Sequence, residues 1–146
     1  MTHISTVIMD LLKSNTGVTA LVGTRIYPDG LPTDVTLPAL VVVHVTGVPD
    51  PDIPAVSTDR IQVSCFSNPP ESNGVKSPME VEQVADAVKT ALHHSDLEKN
   101  PMTRTVAGVK HSILKAPRLL SERRYREDGT DWYHKPLDFS VTYRKD

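Results

Sequence analysis

Residues 37–46 read LPALVVVHVT, and within them positions 39–45 are apolar except for His44. β-Branched valines crowd a helical turn but pack well on a pleated surface, so this stretch is expected to be a strand. No other part of the chain is as continuously hydrophobic over strand length. Side chains alternate along a strand, so Val41, Val43 and Val45 face one way and Leu40, Val42 and His44 the other. A strand apolar on both sides is covered twice, within its own fold or by a neighbouring subunit. The valine set is expected to hold the helices. Leu40, Val42 and His44 are the candidate second face, to be covered by an adjacent subunit.

Amphipathic helices to lie on such a strand can be read on either side of it. Ile4, Val7, Ile8, Leu11 and Leu12 form one helical stripe, with a stop at Asn15 and Gly17. Residues 18–22 add one short further turn, ended by Gly23. The sequence Ser77-Pro78-Met79-Glu80 is a capping box, with serine at the N-cap, proline at N1 and glutamate at N3. The helix it starts carries Val81, Val84, Ala85, Val88, Ala91 and Leu92 on one face and should end near His94.

The remaining strands show period-two alternation. In residues 60–67, Ile61, Val63 and Cys65 point inward and Arg60, Gln62 and Ser64 outward. Residues 106–115 read as one strand, with Val109 and Ile113 inward, His111 between them and a break at Pro117. Residues 118–126 continue as an extended polar segment, and Glu127-Asp128-Gly129-Thr130 is a turn. In the return strand, 132–145, Leu137, Phe139, Val141 and Tyr143 face inward. Three prolines in 25–38 indicate an ordered extended connection. Three more in 47–58, with two aspartates, indicate a protruding loop. Residues 68–76 read as a surface loop. The expected fold is α+β: an antiparallel or mixed sheet of about four strands packed by two helices, ending in a long C-terminal β-hairpin. Residues 118–135 are too polar for a core and should project or lie against another subunit.

One domain, 1–146, suits this length, at which folding buries roughly 70% of the chain's surface. The net charge of −2 makes bulk attraction to polyanions weak. Its distribution is uneven. Residues 1–98 carry five Lys/Arg and twelve Asp/Glu, hence −7, and residues 99–146 carry eleven and six, hence +5. Opposite halves of this kind suit contact between copies, or simply two solvated faces. Cys65 is the only cysteine, so no intrachain disulfide can form, and its inward position marks a small buried hydrophobe. The chain has no leader-like segment and no apolar run of transmembrane length, so no membrane association is expected.

Chemistry finds few footholds. His93 and His94 point about 100° apart on a helix, and His44, His111 and His134 lack carboxylates at ligand spacing, so no metal site is expected. Nucleophile elbows and phosphate-binding glycine loops are missing from the sequence, and Asp50/Asp52 and Glu127/Asp128 are loop carboxylates whose default is solvation. No catalytic residue and no cofactor are expected. The basic stretch Arg118, Arg123, Arg124 and Arg126, with Tyr125 and Trp132, admits three readings. It could contact phosphates with aromatic stacking. It could be an edge strand whose charges deter aggregation. The favoured reading is a protein–protein contact, for which arginine and aromatics are the enriched types. Asp50, Asp52 and Ile53 are the matching candidates on the protruding loop.

Several stretches together resemble the siphophage tail completion proteins, also called tail terminators or tail-to-head joining proteins. They are Val22–Pro28 (VGTRIYP), Leu37–Ala39 leading into the valine strand, RIQVSCFS at 60–67, VEQVADAVKTAL at 81–92 and LDFSVTY at 137–143. The likeness runs in order along most of the chain, and two regions, 47–58 and 114–126, have no counterpart in it. It implies a structural protein of lambda-terminator type rather than an enzyme. Such proteins form a ring, commonly of six subunits, on the last ring of the tail tube. The ring ends tube polymerisation and meets the head-completion or connector protein. DNA passes through the lumen without sequence-specific binding. The implied location is the virion, at the head–tail junction, after assembly in the host cytoplasm. A neck adaptor of the head connector, and a nucleic-acid-binding module built on the basic hairpin, are the alternatives. The capping box gives a local expectation: Ser77→Ala should cost about 1 kcal/mol in urea denaturation.

Overall fold

The structure, a computed structural model, describes residues 3–68, 71–72, 75–76, 79–93, 102–115, 117–127 and 132–146. Its helices are α1 (His3–Lys13), α2 (Thr16–Val22) and α3 (Met79–Leu92). Its main strands are β1 (Ile26–Pro28), β2 (Ala39–Pro49), β3 (Val56–Ser67), β6 (Met102–Val106), β7 (Val109–Ile113), β8 (Arg118–Glu122), β9 (Tyr125–Arg126) and β10 (Tyr133–Lys145). They form one sheet in the order β1-β2-β3-β10-β7-β6, with β8 and β9 also paired to β10. A separate ladder joins β4 (Glu71–Ser72) to β5 (Val75–Lys76) within the stretch expected to be a plain loop. Only β1 pairs in parallel, with β2.

The α+β class and the C-terminal hairpin are as expected, but the sheet has about twice as many strands. The reason lies in β10. Its 13 residues pair with β3 along one side and, in succession, with β9, β8 and β7 along the other. Short segments that look too polar or too broken to be strands are recruited because this long neighbour offers them ladder partners. The stretch read as one strand over 106–115 is in fact a hairpin end. β6 and β7 are joined by Ala107 and Gly108, whose φ angles of 53° and 78° match the twist of a two-residue hairpin turn. The capping box at Ser77 and Pro78, and His94, lie outside the described residues.

The inward alternation of β3 and β10 is as read: Ile61, Val63, Cys65, Leu137 and Val141 are fully buried. They meet Ile4, Val7, Ile8 and Leu12 of α1, Val18 and Val22 of α2, and Val81, Val84, Ala85, Val88 and Leu92 of α3 in one cluster. Each fully buried aliphatic side chain contributes about 1.5–3 kcal/mol. Asn15 is a start as well as a stop, because its side chain accepts the Val18 amide and caps α2.

The faces of the valine strand are reversed from expectation. Leu40 and Val42 are completely buried in this same core, paired with Cys65 and Val63 of β3, so the helices cover them and no second subunit is needed. Val41, Val43 and Val45 lie on the other side, and exposure climbs along them until Val45 is 49% exposed. Periodicity states which residues share a face but not which face meets the helices. Half of the proline-rich stretch 47–58 is likewise ladder. β2 runs to Pro49, β3 starts at Val56, and the arm they form is closed by a six-residue loop.

Ala107 holds a left-handed backbone that a Cβ disfavours. Ala107→Gly is expected to stabilise the fold by about 0.5–1 kcal/mol, since glycine's larger unfolded-state entropy offsets part of the relieved strain. The shift in urea midpoint measures it.

Candidate functional site

Two surfaces follow from this layout: the arm, and the edge formed by β8 and β9. The arm's far end comprises β2 from Thr46 onward, the start of β3 and the end of β10, joined to it by Lys145 N–H to the Ala55 carbonyl, and β7 and β6 flank β10 there on its other side. Its loop is tightly held. The Asp50 carboxylate accepts the amides of Asp52 and Ile53 at 2.8 and 2.9 Å, while Asp50 N–H donates to Val56 O and Val56 N–H to Ile53 O. Asp50 therefore shapes the loop, and Ile53, 53% exposed, is presented from a fixed backbone. Ordering of this kind before binding lowers the entropy a contact would cost.

At the root of the arm sits a buried carboxylate that sequence reading passed over. Asp59 accepts hydrogen bonds from Ser57 Oγ (2.5 Å), His44 Nε2 (2.8 Å) and Tyr143 Oη (3.0 Å). Strand parity could have found it, since Asp59 shares the inward side of β3 with Ile61 and Val63. A bulge between His44 and Thr46 turns His44 toward Asp59 and places Gly47 opposite it. A Cβ on Gly47 would lie 2.8 Å from the Asp59 carboxylate, so this approach requires glycine. Burial, with the Asp59 charge beside it, pushes the Tyr143 phenol up to about 12. Ser57 and His44 both bond to the carboxylate. A nucleophilic relay needs serine bonded to histidine instead. The arrangement ties β2, β3 and β10 together where the arm leaves the sheet.

The basic segment does not project as expected. It lies along β10, as the hairpin implies, and is tied to the chain's own α3 by three ion pairs, two through Glu82 and one through Lys89. Lys135, nearly buried on the inward side of β10, bonds Glu82 at 2.5 Å. Arg124 bonds the same carboxylate at 2.8 Å, and Lys89 reaches Glu122 at 3.0 Å. Partial burial pushes Glu82 up, and the hydrogen bonds from Lys135 and Arg124 outweigh it, so its carboxyl lies below the ordinary value. Bonding to Glu122 raises Lys89. Arg126 lies 5.7 Å from the centre of the Tyr133 ring, a cation–π distance. Tyr125 meets His134 edge-on at 4.7 Å, and His134 stacks on Phe66 at 4.2 Å. Burial holds the His134 imidazole below its ordinary value, against the pull of Glu127. Trp132 is half-buried, its carbonyl accepting the Glu127 amide at 2.8 Å.

Arg118 and Arg123 remain exposed, with no charged partner among the described residues. The sheet's outward face between the two surfaces is polar, and its central charge is neutralised. Asp138 accepts Arg60, Gln62 and Ser121 at 2.6, 3.0 and 2.9 Å. Burial raises Asp138, but these bonds hold it below its ordinary value. The fold therefore does not gather the sequence candidates into one place. Leu40 and Val42 are core, His44 serves Asp59, Asp50, Asp52 and Ile53 form the arm's tip, and the arginines lie on the opposite edge. No group of three or more metal-ligating side chains is present among the described residues, and no helix among them is long and apolar enough to cross a membrane.

The described residues thus form an α+β sheet with helices on one face and a largely polar opposite face. The chain belongs to the tail completion protein gp17 family, whose profile matches residues 6–144. It is thereby a structural protein of phage tail completion. No curated protein sequence matches it. A solved chain from the virion of a native gene transfer agent particle shares the fold, with a TM-score of 0.63 and 17% identity over 97% of this chain and 94% of that one.

The Glu82 cluster yields a test with a pH sign. Glu82→Gln leaves the nearly buried Lys135 without its main counter-charge, which should destabilise the fold by about 1–3 kcal/mol at pH 7. The folded carboxyl lies below its ordinary value, so its contribution is complete above that value and fades as pH falls through the folded one. The gap between variant and wild type in urea denaturation should accordingly shrink from pH 7 to pH 3.

Proposed function

We propose that the chain acts as one unit, 1–146, in a ring, commonly of six copies, that caps the tail tube, ends its polymerisation and joins the tail to the head connector. The supporting observation is the arm. The chain exposes Val48 and Ile53 where β2 and β3 end in a loop fixed by Asp50. Exposed apolar residues on an ordered projection suit docking to another protein. Asp50, Asp52 and Ile53 serve a neighbouring protein at this tip, whether the next copy, the tail tube protein or the head-completion protein. Arg118, Arg123, Arg124, Tyr125, Arg126 and Trp132 serve the subunit interface or the lumen. DNA passes the lumen without sequence-specific contact, and the ring is built in the host cytoplasm before it joins the virion at the neck.

A nucleic-acid-binding role is less well supported, because Arg124 is engaged by Glu82 and Arg126 by the Tyr133 ring. A connector adaptor shares the same surfaces and differs in phenotype. Particles lacking the protein should show overlong or unjoined tails beside filled heads, whereas leaking heads would indicate the adaptor. Native mass measurement of the pure protein, alone and with tail tube protein, should give a closed oligomer or capped tubes. A strict monomer in both conditions would overturn the ring.

A further inference from the structure

β9 is two residues long and meets β10 at the pairs Arg126–Tyr133 and Tyr125–His134. The imidazole of His134 is what its outward side rests on. That ring stacks on Phe66 of β3 with centres 4.2 Å apart and meets the Tyr125 ring edge-on at 4.7 Å. Its Nδ1 lies 2.5 Å from a Glu127 carboxylate oxygen, one residue past β9. A carboxylate accepts, so Nδ1 carries the proton and donates, and the lone pair of the neutral ring falls on Nε2. Nε2 is buried without a partner among the described residues. An imidazolium would place a second N–H there, charged and with no acceptor.

The surroundings offer that charge little relief. From β3 the contact is Phe66, and Ala39 of β2 beyond it is uncharged too. Tyr133 and Lys135, its neighbours on β10, alternate to the helix-covered side. From the β9 side come Tyr125, Glu127 and Arg123. Burial holds the Tyr125 phenol above its ordinary value, so it stays neutral, and Arg123 beside it is a like charge. Glu127 alone pulls toward the imidazolium, and its carboxylate is 38% exposed, so water screens it. Burial outweighs that pull and keeps the imidazole below its ordinary value. Arg126, on the other side of β9, sits over Tyr133 and does not touch His134.

We infer that β9 is a pH-sensitive strap: neutral His134 clamps it to β10 and Phe66, and protonation of His134 releases it. The sign follows from linkage. A released strap lets His134 take up a proton at its ordinary value, whereas the clamped ring resists. The strap is therefore at full strength above the ordinary imidazole value and weakens as pH falls from there toward the folded one. The basic edge carrying Arg123, Arg124 and Tyr125 is thus fixed in neutral medium and freed in acid. This goes beyond the ring reading and stands or falls without it.

Hydrogen exchange of the full-length protein tests it. The Glu127 amide, bonded to the Trp132 carbonyl, reports the strap, and Val63 reports the central ladder. Corrected for intrinsic rates, Glu127 protection should fall severalfold from pH 7 to pH 5 while Val63 holds. His134→Phe keeps a ring on Phe66 and cannot titrate, so its Glu127 protection should stay level. Equal Glu127 protection at both pH values in the wild type, or the same fall in His134→Phe, would overturn the strap. So would an NMR titration of wild-type His134 at or above the ordinary imidazole value, a measurement that needs no variant.

Discussion

The twelve-row antiparallel pairing of β3 with β10 is the constraint on which the rest depends. It sends Ile61, Val63, Cys65, Leu137, Phe139 and Val141 to one side, where three helices close over them. It also outlasts the core. The ladder continues from the helix-covered centre to Val56 and Arg144, where little apolar surface is left to bury, so the arm is a continuation of the central strands rather than a loop grafted on them. Register slip by a single residue would turn the whole apolar set to solvent.

Polar groups at the two ends of that ladder show how the sheet leaves its core. Toward the arm, Asp59 occupies an inward position and is accepted there because Ser57, His44 and Tyr143 satisfy it. Toward the hairpin, Lys135 occupies the equivalent position on β10 and is met by Glu82 of α3. One charge on each strand, each with its own local partners, marks where the hydrophobic layer ends and surface begins. The same pairs hold the arm and the basic edge in place, so the geometry presented to neighbours is coupled to core packing.

Tail completion is a structural task within the virion. The molecule is arranged accordingly. On its outward sheet face Arg60 and Asp138 neutralise each other, while among the described residues the exposed large apolar side chains lie on the arm, on β2 and on β8 and β9, with Met79 of α3 besides.

Local pattern was enough to place α1 and α3, the inward residues of β3 and β10, the short turn after Asn15 and the buried thiol of Cys65, because helical and strand periodicity are properties of neighbouring residues. It could not say that Leu40 and Val42, not the valines beside them, face the helices, since parity has no sign until the layers are stacked. It paired 118–126 with the return strand as a hairpin but could not show that Arg124 and Lys135 meet Glu82: polar residues read as surface until a partner 42 or 53 positions away supplies the opposite charge. The sequence by itself determined which residues travel together. Only the tertiary structure decided what each set meets, because contacts between distant segments depend on the sheet's order and register, which no local spacing encodes.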